Sequence, residues 1–418
     1  MLTIVHGKIK TMADVVYEDG FLQIENGKIT AIGSMAECPL GKYDSGVSLD
    51  KDVSPDNTVK NSRNDKTDTS VIKDIKVINA KGNLVMPGII EAHCHMGITE
   101  EKKGMEGDDC NENVDPITPY LRAIDAINPM DAAFDDALRA GITSAMIGPG
   151  SSNVVGGQFV FIKTHGRCID NMIVKSPAAM KVAFGENPKV NFSGKDVSPA
   201  TRMAIAAMLR QEIFNAKTYY NKRKNNECSE DFKYECWIPV LEGRIPLKAH
   251  VHRADDILTA IRIAKEHGLS MTLDHCSEGH LIAEEIKESG FPAIVGPDMA
   301  SRNKIEVQNM AFKTAGILSQ AGIRVAITTD HPVSMIQFLP ICAGLAVKSG
   351  LTEEDGFRAI TINPAIICGV DDRVGSLEVG KDGDVVIFDG NPMEVFTKAL
   401  CTIIEGKIVY TDENAKLL

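Results

Sequence analysis

The run Pro87-Gly88-Ile89-Ile90-Glu91-Ala92-His93-Cys94-His95 places two imidazoles one residue apart. Side chains alternate along a strand, so His93 and His95 would face one side and Cys94 the other. Such a pair can hold a divalent cation but also arises by chance, so its meaning depends on ligand-type residues at other strand ends. Three apolar runs supply them: Leu247-Lys248-Ala249-His250, Thr272-Leu273-Asp274-His275 and Ile327-Thr328-Thr329-Asp330. Each alone has a plainer reading, as a histidine bonded to a carbonyl or an aspartate capping a helix. Clustered on an apolar framework, the imidazoles of His93, His95, His250 and His275 and the carboxylate of Asp330 would be costly unless a cation satisfied them.

For these side chains to meet, their strands must end at one mouth. Residues 128–364 alternate apolar strand candidates with amphipathic segments, the clearest strands being Leu247 to Val251, Met271 to His275, Ala293 to Val295 and Val325 to Thr329. Ile257, Ile261 and Ala264 form one helical stripe; Val307, Met310, Ala311, Thr314 and Leu318 form another. Gly141, Gly268, Gly290 and Gly322 stand where helices should end before strands. The class is therefore α/β, and the number of units predicts a (β/α)8 TIM-type barrel over residues 83–369, with its chemistry at the strand ends. Residues 150–185 show no clear period. Phe357 to Ala365 reads as a helix and turn that closes the barrel.

The chain ends follow a different pattern. Short alternating runs fill residues 1–34, with Asn26-Gly27 between two of them as a hairpin signal. Alternation returns at Ile75 to Ala80, at Asp384 to Phe388 and at Cys401 to Tyr410. These segments should pair, giving a small discontinuous β-sandwich domain from residues 1–82 and 370–418 into which the barrel is inserted. Residues 43–70 are rich in Asp, Ser, Lys, Asn and Thr and read as a solvated or disordered insertion.

With 418 residues, 44% of them hydrophobic, the chain can bury a barrel-sized core and a smaller one. A net charge of −12 and a pI near 5.4 argue against nucleic acid or an anionic membrane as partner. No run has transmembrane length and Met1 to His6 does not open a signal peptide, so the cytoplasm is the expected location. The ten cysteines show no framework spacing and no CxxC pair, which suits reduced thiols. The expected partners are a small-molecule substrate and further copies of the chain in a homo-oligomer.

Taken jointly, MPGIIEAHCH (86–95), KAHVHRADD (248–256), LDHCSEGH (273–280), TTDHP (328–332) and the tail Gly375 to Phe388 resemble the amidohydrolase superfamily over nearly the whole chain apart from the insertion. The subgroup resembled is the imidazolonepropionase-like one, while Met180 to Lys189 resembles the N-acetylglucosamine-6-phosphate deacetylases. The resemblance implies that His93, His95, His250, His275 and Asp330 form a metal site. Two-metal members also need a bridging acid. Glu186 is the candidate, a carboxylated Lys181 or Lys175 is the other option, and a loop carboxylate before a Pro turn is the plain reading of Glu186. Zinc suits such a site best, as one or two ions, with iron or manganese as alternatives. Asp330 would serve as general base and then acid, with His275 beside it in the catalytic set.

His252 lies on the same side as His250 and either replaces it as ligand or lines the pocket. Asn153 and Gln158, on the Gly-rich stretch 148–158, are candidate substrate contacts, and Arg253 either clamps a substrate carboxylate or pairs with Asp255 or Asp256. His331 and His280 are read as hydrogen-bond partners behind the ligands. The expected activity is metal-dependent hydrolysis of an amide or cyclic amide C–N bond in a small molecule. The alternatives are deamination of an aminated heterocycle, a catalytically silent scaffold on the same fold, and a module that binds a small ligand without turnover.

Overall fold

The computed structural model describes residues 1–39, 76–101, 104–413 and 415. The polar stretch 43–70 lies outside them. The strands in chain order are β1 (Leu2–Lys10), β2 (Val16–Glu25), β3 (Lys28–Ser34), β4 (Lys76–Asn79) and β5 (Leu84–Pro87). Then come β6 (Ile89–Cys94), β7 (Ile142–Ile147), β8 (Val155–Lys163), β9 (Ile173–Ala183), β10 (Leu247–Val251), β11 (Met271–His275), β12 (Ala293–Val295) and β13 (Val325–Ile327), followed by β14 (Val385–Phe388), β15 (Ala399–Ile404) and β16 (Lys407–Thr411). Two compact units result, Met1–Gly88 with Asp371–Leu418, and Ile89–Val370.

In the smaller unit, hydrogen bonding runs β16-β15-β14-β5-β1-β2-β3, with β4 also on β1. This is one eight-stranded sheet rather than two separate ones. β5, read above with the barrel, belongs here because it pairs with both β1 and β14. The β2–β3 hairpin turns at Asn26 (φ 52°) and Gly27 (φ 80°), the positive-φ pair that an Asn-Gly turn supplies. Ile4, Leu22, Ile24, Ile78, Val385 and Ile403 share the core of this sheet.

The larger unit is a nearly closed eight-stranded barrel in the order β6 through β13. Seven strands run parallel as expected, but β8 is antiparallel to both β7 and β9. Residues 148–154 and 164–172, which flank β8, contain no α-helix. Connections that short reverse the chain instead of carrying it over the sheet, so this part of the barrel is a meander. That is why residues 150–185 show no helical period.

The seam between β6 and β13 is tied from below and above. Ile90 N donates to Ile360 O (2.9 Å) and Asn363 Nδ2 to Val325 O (2.8 Å), so the segment expected to close the barrel bonds to both edge strands. Above, Thr328 Oγ1 donates to His93 O (2.6 Å) and His95 N to His331 O (2.8 Å).

Ala254–His267 is a helix that buries Ile257, Ile261 and Ala264 and ends at Gly268 in the left-handed region (φ 65°). The stripe expected from Val307 to Leu318 is α-helical only over Lys313–Gln320, and Val307 ends a short 3-10 turn. Arg302 donates to Met310 O (2.8 Å), and Asn309 donates to Glu278 (2.7 Å), contacts that hold residues 308–312 in a loop. Among the described residues no helix is long and apolar enough to cross a membrane.

Candidate metal centre

Parallel register sets the site. Lys181 of β9 stands beside Lys248 of β10, which stands beside Thr272 of β11; one layer up, Ala183, His250 and Asp274 follow, and Val251 pairs with His275. Alternation then puts Lys248, His250 and His252 on one face and His93 and His95 on another strand's inner face. The rings converge: His93 and His275 centroids are 5.0 Å apart, His250 and His275 4.5 Å, and His252 and His275 4.7 Å.

Each of four rings is anchored through Nδ1. His93 Nδ1 lies 2.8 Å from Asp274 Oδ2, His95 Nδ1 2.7 Å from Gly148 O, His275 Nδ1 2.9 Å from Gly296 O, and His252 Nδ1 2.8 Å from Ser277 Oγ. The carboxylate and carbonyl partners accept only, so in the neutral rings of His93 and His275 the proton sits on Nδ1 and the lone pair on Nε2. The two carbonyls belong to glycines for steric reasons. A Cβ on Gly148 would lie 2.3 Å from the Phe159 ring, and one on Gly296, whose φ is +124°, 2.4 Å from Thr328 O. His275 (φ 77°) and Asp330 (φ 51°) themselves occupy the left-handed region, strain of the kind that surrounding structure imposes at functional positions.

Asp330 faces these nitrogens. Its Oδ1 lies 3.2 Å from His95 Nε2 and 3.5 Å from His93 Nε2, and among the described residues neither it nor the buried Nε2 of His275 has a hydrogen-bond partner. His93, His275 and Asp330 form one group able to hold a metal ion, and His250, His252 and His275 another. Burial holds His93, His252 and His275 well below the ordinary histidine range, with neighbouring cations and imidazoles acting the same way. These rings are therefore neutral and free to ligate. For His95 burial also pushes downward, but the Cys110 thiol and Asp330 beside it outweigh burial and raise it to about 10.

Five buried charged groups complete the surroundings. Asp274 binds Lys248 Nζ (3.1 Å) and Thr272 Oγ1 (2.7 Å) besides His93. Glu91 accepts from His93 N (3.0 Å) and from the backbone and hydroxyl of Thr329 (2.8 and 2.7 Å), and burial raises its pKa to about 6. Lys181 lies 3.3 Å from His93 Nε2, and burial lowers its pKa to about 8. Glu306, on the loop after β12, places Oε1 3.7 Å from His250 Nε2 and 3.8 Å from His252 Nε2.

Several sequence candidates do not join this cluster. Glu186 starts a helix after Gly185 (φ 81°) has turned the chain away from β9; it is only half-buried, and its backbone N donates to Glu306 Oε2 (2.9 Å). Lys175 bonds Cys368 O (3.1 Å), at the opposite end of β9. Asn153 donates to Glu112 O and Asp115 O (both 2.6 Å) and Gln158 to Pro119 O (3.1 Å), so both tie down the 112–119 loop. Both donors of the Arg253 fork that form bonds, Nε and Nη2, engage Asp255 (2.9 and 3.0 Å). His280 contacts Thr314 Oγ1 (3.0 Å), whereas His331, which burial and His95 lower to about 4, accepts from Ile336 N (3.2 Å).

Sequence reasoning passed over Asp274, Glu91, Lys248 and Glu306. The first three had a signal, a charge inside a strand otherwise made of small and apolar residues. Gly148-Pro149 and Gly296-Pro297, each directly after a strand, marked the two carbonyl anchors. Glu306 sits in a loop without periodicity and had none.

Residues 241–409 match the model of the amidohydrolase family. An amidohydrolase from Thermotoga maritima MSB8, known from its crystal structure, is 33% identical, with a TM-score of 0.87 over 99% of this chain and 100% of that one. Amidohydrolase tasK of Hapsidospora irregularis is 27% identical over 82% of this chain, which spans 38% of that protein's length. The imidazolonepropionase of Fusobacterium nucleatum is 29% identical over 36% of each chain. One-third identity to the Thermotoga amidohydrolase, sustained from end to end of both chains, shows that this protein belongs to the amidohydrolase superfamily.

Proposed function

We propose that the protein is a metal-dependent hydrolase of an amide or cyclic amide C–N bond in a small molecule, working at the mouth of the barrel. The observation that carries this reading is the pair of buried, unsatisfied ligand atoms, His275 Nε2 and Asp330 Oδ1, within a ring of histidines whose Nδ1 atoms are already engaged. Such atoms are costly to bury unless a cation satisfies them, so the residues fit the metal that the family implies. His93, His95, His250, His275 and Asp330 would hold it, and the nitrogen-rich set suits zinc ahead of iron or manganese. A divalent cation there supplies a water pKa lowered to about 7 and polarises the scissile carbonyl.

The chain's own groups do the rest. Asp330 accepts the proton of the attacking water and delivers it to the departing nitrogen, which a carboxylate facing the mouth can do in both directions. Asp274 and the two glycine carbonyls hold the imidazoles in one tautomer and orientation. Asp274→Ala is expected to weaken zinc binding about 10–100-fold, measured by competition with a chromogenic chelator, because His93 loses the partner that fixes its Nε2 lone pair.

In place of Glu186, Lys181 is the bridging candidate. It is fully buried on the strand face that carries the site, and its lowered pKa leaves a larger share of neutral amine, the form whose nitrogen attacks carbon dioxide and sheds one proton to give a carbamate. Native mass spectrometry should find one carbon dioxide adduct, absent in Lys181→Met; an adduct that survives the substitution would remove Lys181 from this role.

Hydrolysis of N-acyl amino acids, dipeptides and cyclic ureides, assayed with and without chelator, tests the function. Turnover that chelation abolishes and zinc restores supports it. Ammonia release from aminated heterocycles alone would point to the deaminase reading, and saturable binding without turnover to a binding module.

A further inference from the structure

We infer that the N-terminal end of the barrel, opposite the candidate metal centre, carries a binding site for a small multivalent anion, a phosphorylated or polycarboxylic molecule. A cavity of about 480 Å³ lies there, a volume typical of small-molecule sites. Its rim is set by the residues that lead into four adjacent strands. Pro246 precedes β10, Ser270 precedes β11, Pro292 precedes β12 and Arg324 precedes β13. None of the histidines or carboxylates of the metal centre lines it. Anion binding here is therefore independent of the reaction at the mouth.

The chain holds 57 acidic and 45 basic residues, yet the charges lining this cavity are of one sign. They are Lys175, Arg244, Lys287 and Arg324, with no carboxylate among the described residues that line it. Two of the four are already compensated. Arg244 pairs with Glu242 (2.8 Å), and Lys175 Nζ donates to Cys368 O and Gly369 O (3.1 and 3.4 Å) where the helix Ile362–Cys368 ends. The Lys287 ammonium and the Arg324 guanidinium have no hydrogen bond or ion pair among the described residues. They stand at neighbouring strand entries. Lys287 lies in the last turn of the helix Ala283–Ser289 before β12, and Arg324 O accepts from Ala293 N (3.0 Å), the first residue of β12. At the inner end of the cavity Thr272 is 2% exposed and turns its hydroxyl to Asp274 (2.7 Å), whose charge is paired with Lys248 (3.1 Å). The acid of the barrel interior is thus already neutralised, and two positive charges remain for an occupant to balance.

A concave wall of one sign focuses its field and concentrates counter-ions. A guanidinium fork beside an ammonium matches the paired oxygens of a phosphate or carboxylate, and two uncompensated cations favour an occupant with at least two negative charges. Isothermal titration calorimetry of the full-length protein at constant ionic strength tests this, with the dianions glycerol 2-phosphate and succinate as probes and chloride as control. The wild type should bind at least one dianion saturably, and chloride not at all. A preference for glycerol 2-phosphate assigns a phosphorylated ligand and a preference for succinate a polycarboxylic one. Lys287→Gln and Arg324→Gln should each weaken binding about tenfold or more, and the double variant should abolish it. Lys348→Gln, which removes an exposed charge outside the cavity, should leave it unchanged. Lys287 and Arg324 are exposed, so their exchange leaves the core intact. No saturable binding of either dianion to the wild type, binding that survives in the double variant, or an equal loss in Lys348→Gln would overturn the proposal.

Discussion

Asp330→Asn is expected to lower turnover about 10²–10⁴-fold at saturating zinc, with the circular dichroism spectrum unchanged. Asn keeps the shape of the side chain but cannot accept the proton of the attacking water. The backbone that presents residue 330 is held independently of its carboxylate: Asp330 N donates to Thr328 Oγ1 (2.9 Å), and Thr329 bonds Glu91 on both sides of its Cα. The positive φ of 51° favours Asn as much as Asp, so the exchange adds no backbone strain. Kinetics on whichever amide the screen identifies provide the check. A loss under about tenfold would move the proton transfer to another group.

Lys248→Met should destabilise the barrel by about 3–5 kcal/mol, the range for removing one member of a buried ion pair. Lys248 is 1% exposed and its Nζ bonds both Asp274 Oδ2 and Ala92 O at 3.1 Å. Methionine fills the stem's volume, so packing is conserved and the penalty falls on Asp274, which among the described residues keeps His93 and Thr272 as partners. Urea denaturation measures this as a lower midpoint at unchanged slope. Combining Lys248→Met with Asp274→Asn should cost less than the sum of the single changes, since the second substitution removes the stranded charge. An unchanged midpoint in Lys248→Met would show that the pair contributes nothing to stability.

What could be read from the residues was what periodicity controls. His93 and His95 share a face because the strand period is two, Asn26-Gly27 turns a hairpin because both positions need positive φ, and Ala254–His267 is a helix whose stripe runs into Gly268. The antiparallel course of β8 could not be read, because strand direction depends on how short the flanking loops are in space. The ranking of Glu186 against Lys181 turns on geometry of the same kind. β9 ends at Ala183, and Gly185 turns the chain before Glu186, so the residue that looks like the end of the strand starts a helix instead, while its neighbour Asn187 lies 3.4 Å from His250 Nε2. Lys181, with the inner-face parity of the strand, stays inside. Glu306 illustrates the limit most plainly: it reaches His250 and His252 from a loop that carries no pattern at all.

The central claim is that residues dispersed from 93 to 330 enclose one cation. Anomalous diffraction at the zinc edge, from crystals of the zinc-loaded protein, tests it directly. The account predicts a peak bonded to Oδ1 of Asp330 and to Nε2 atoms drawn from His93, His95, His250 and His275, at about 2.0–2.2 Å from each. Zinc peaks only at sites that leave Asp330 Oδ1 and these Nε2 atoms unligated would contradict it.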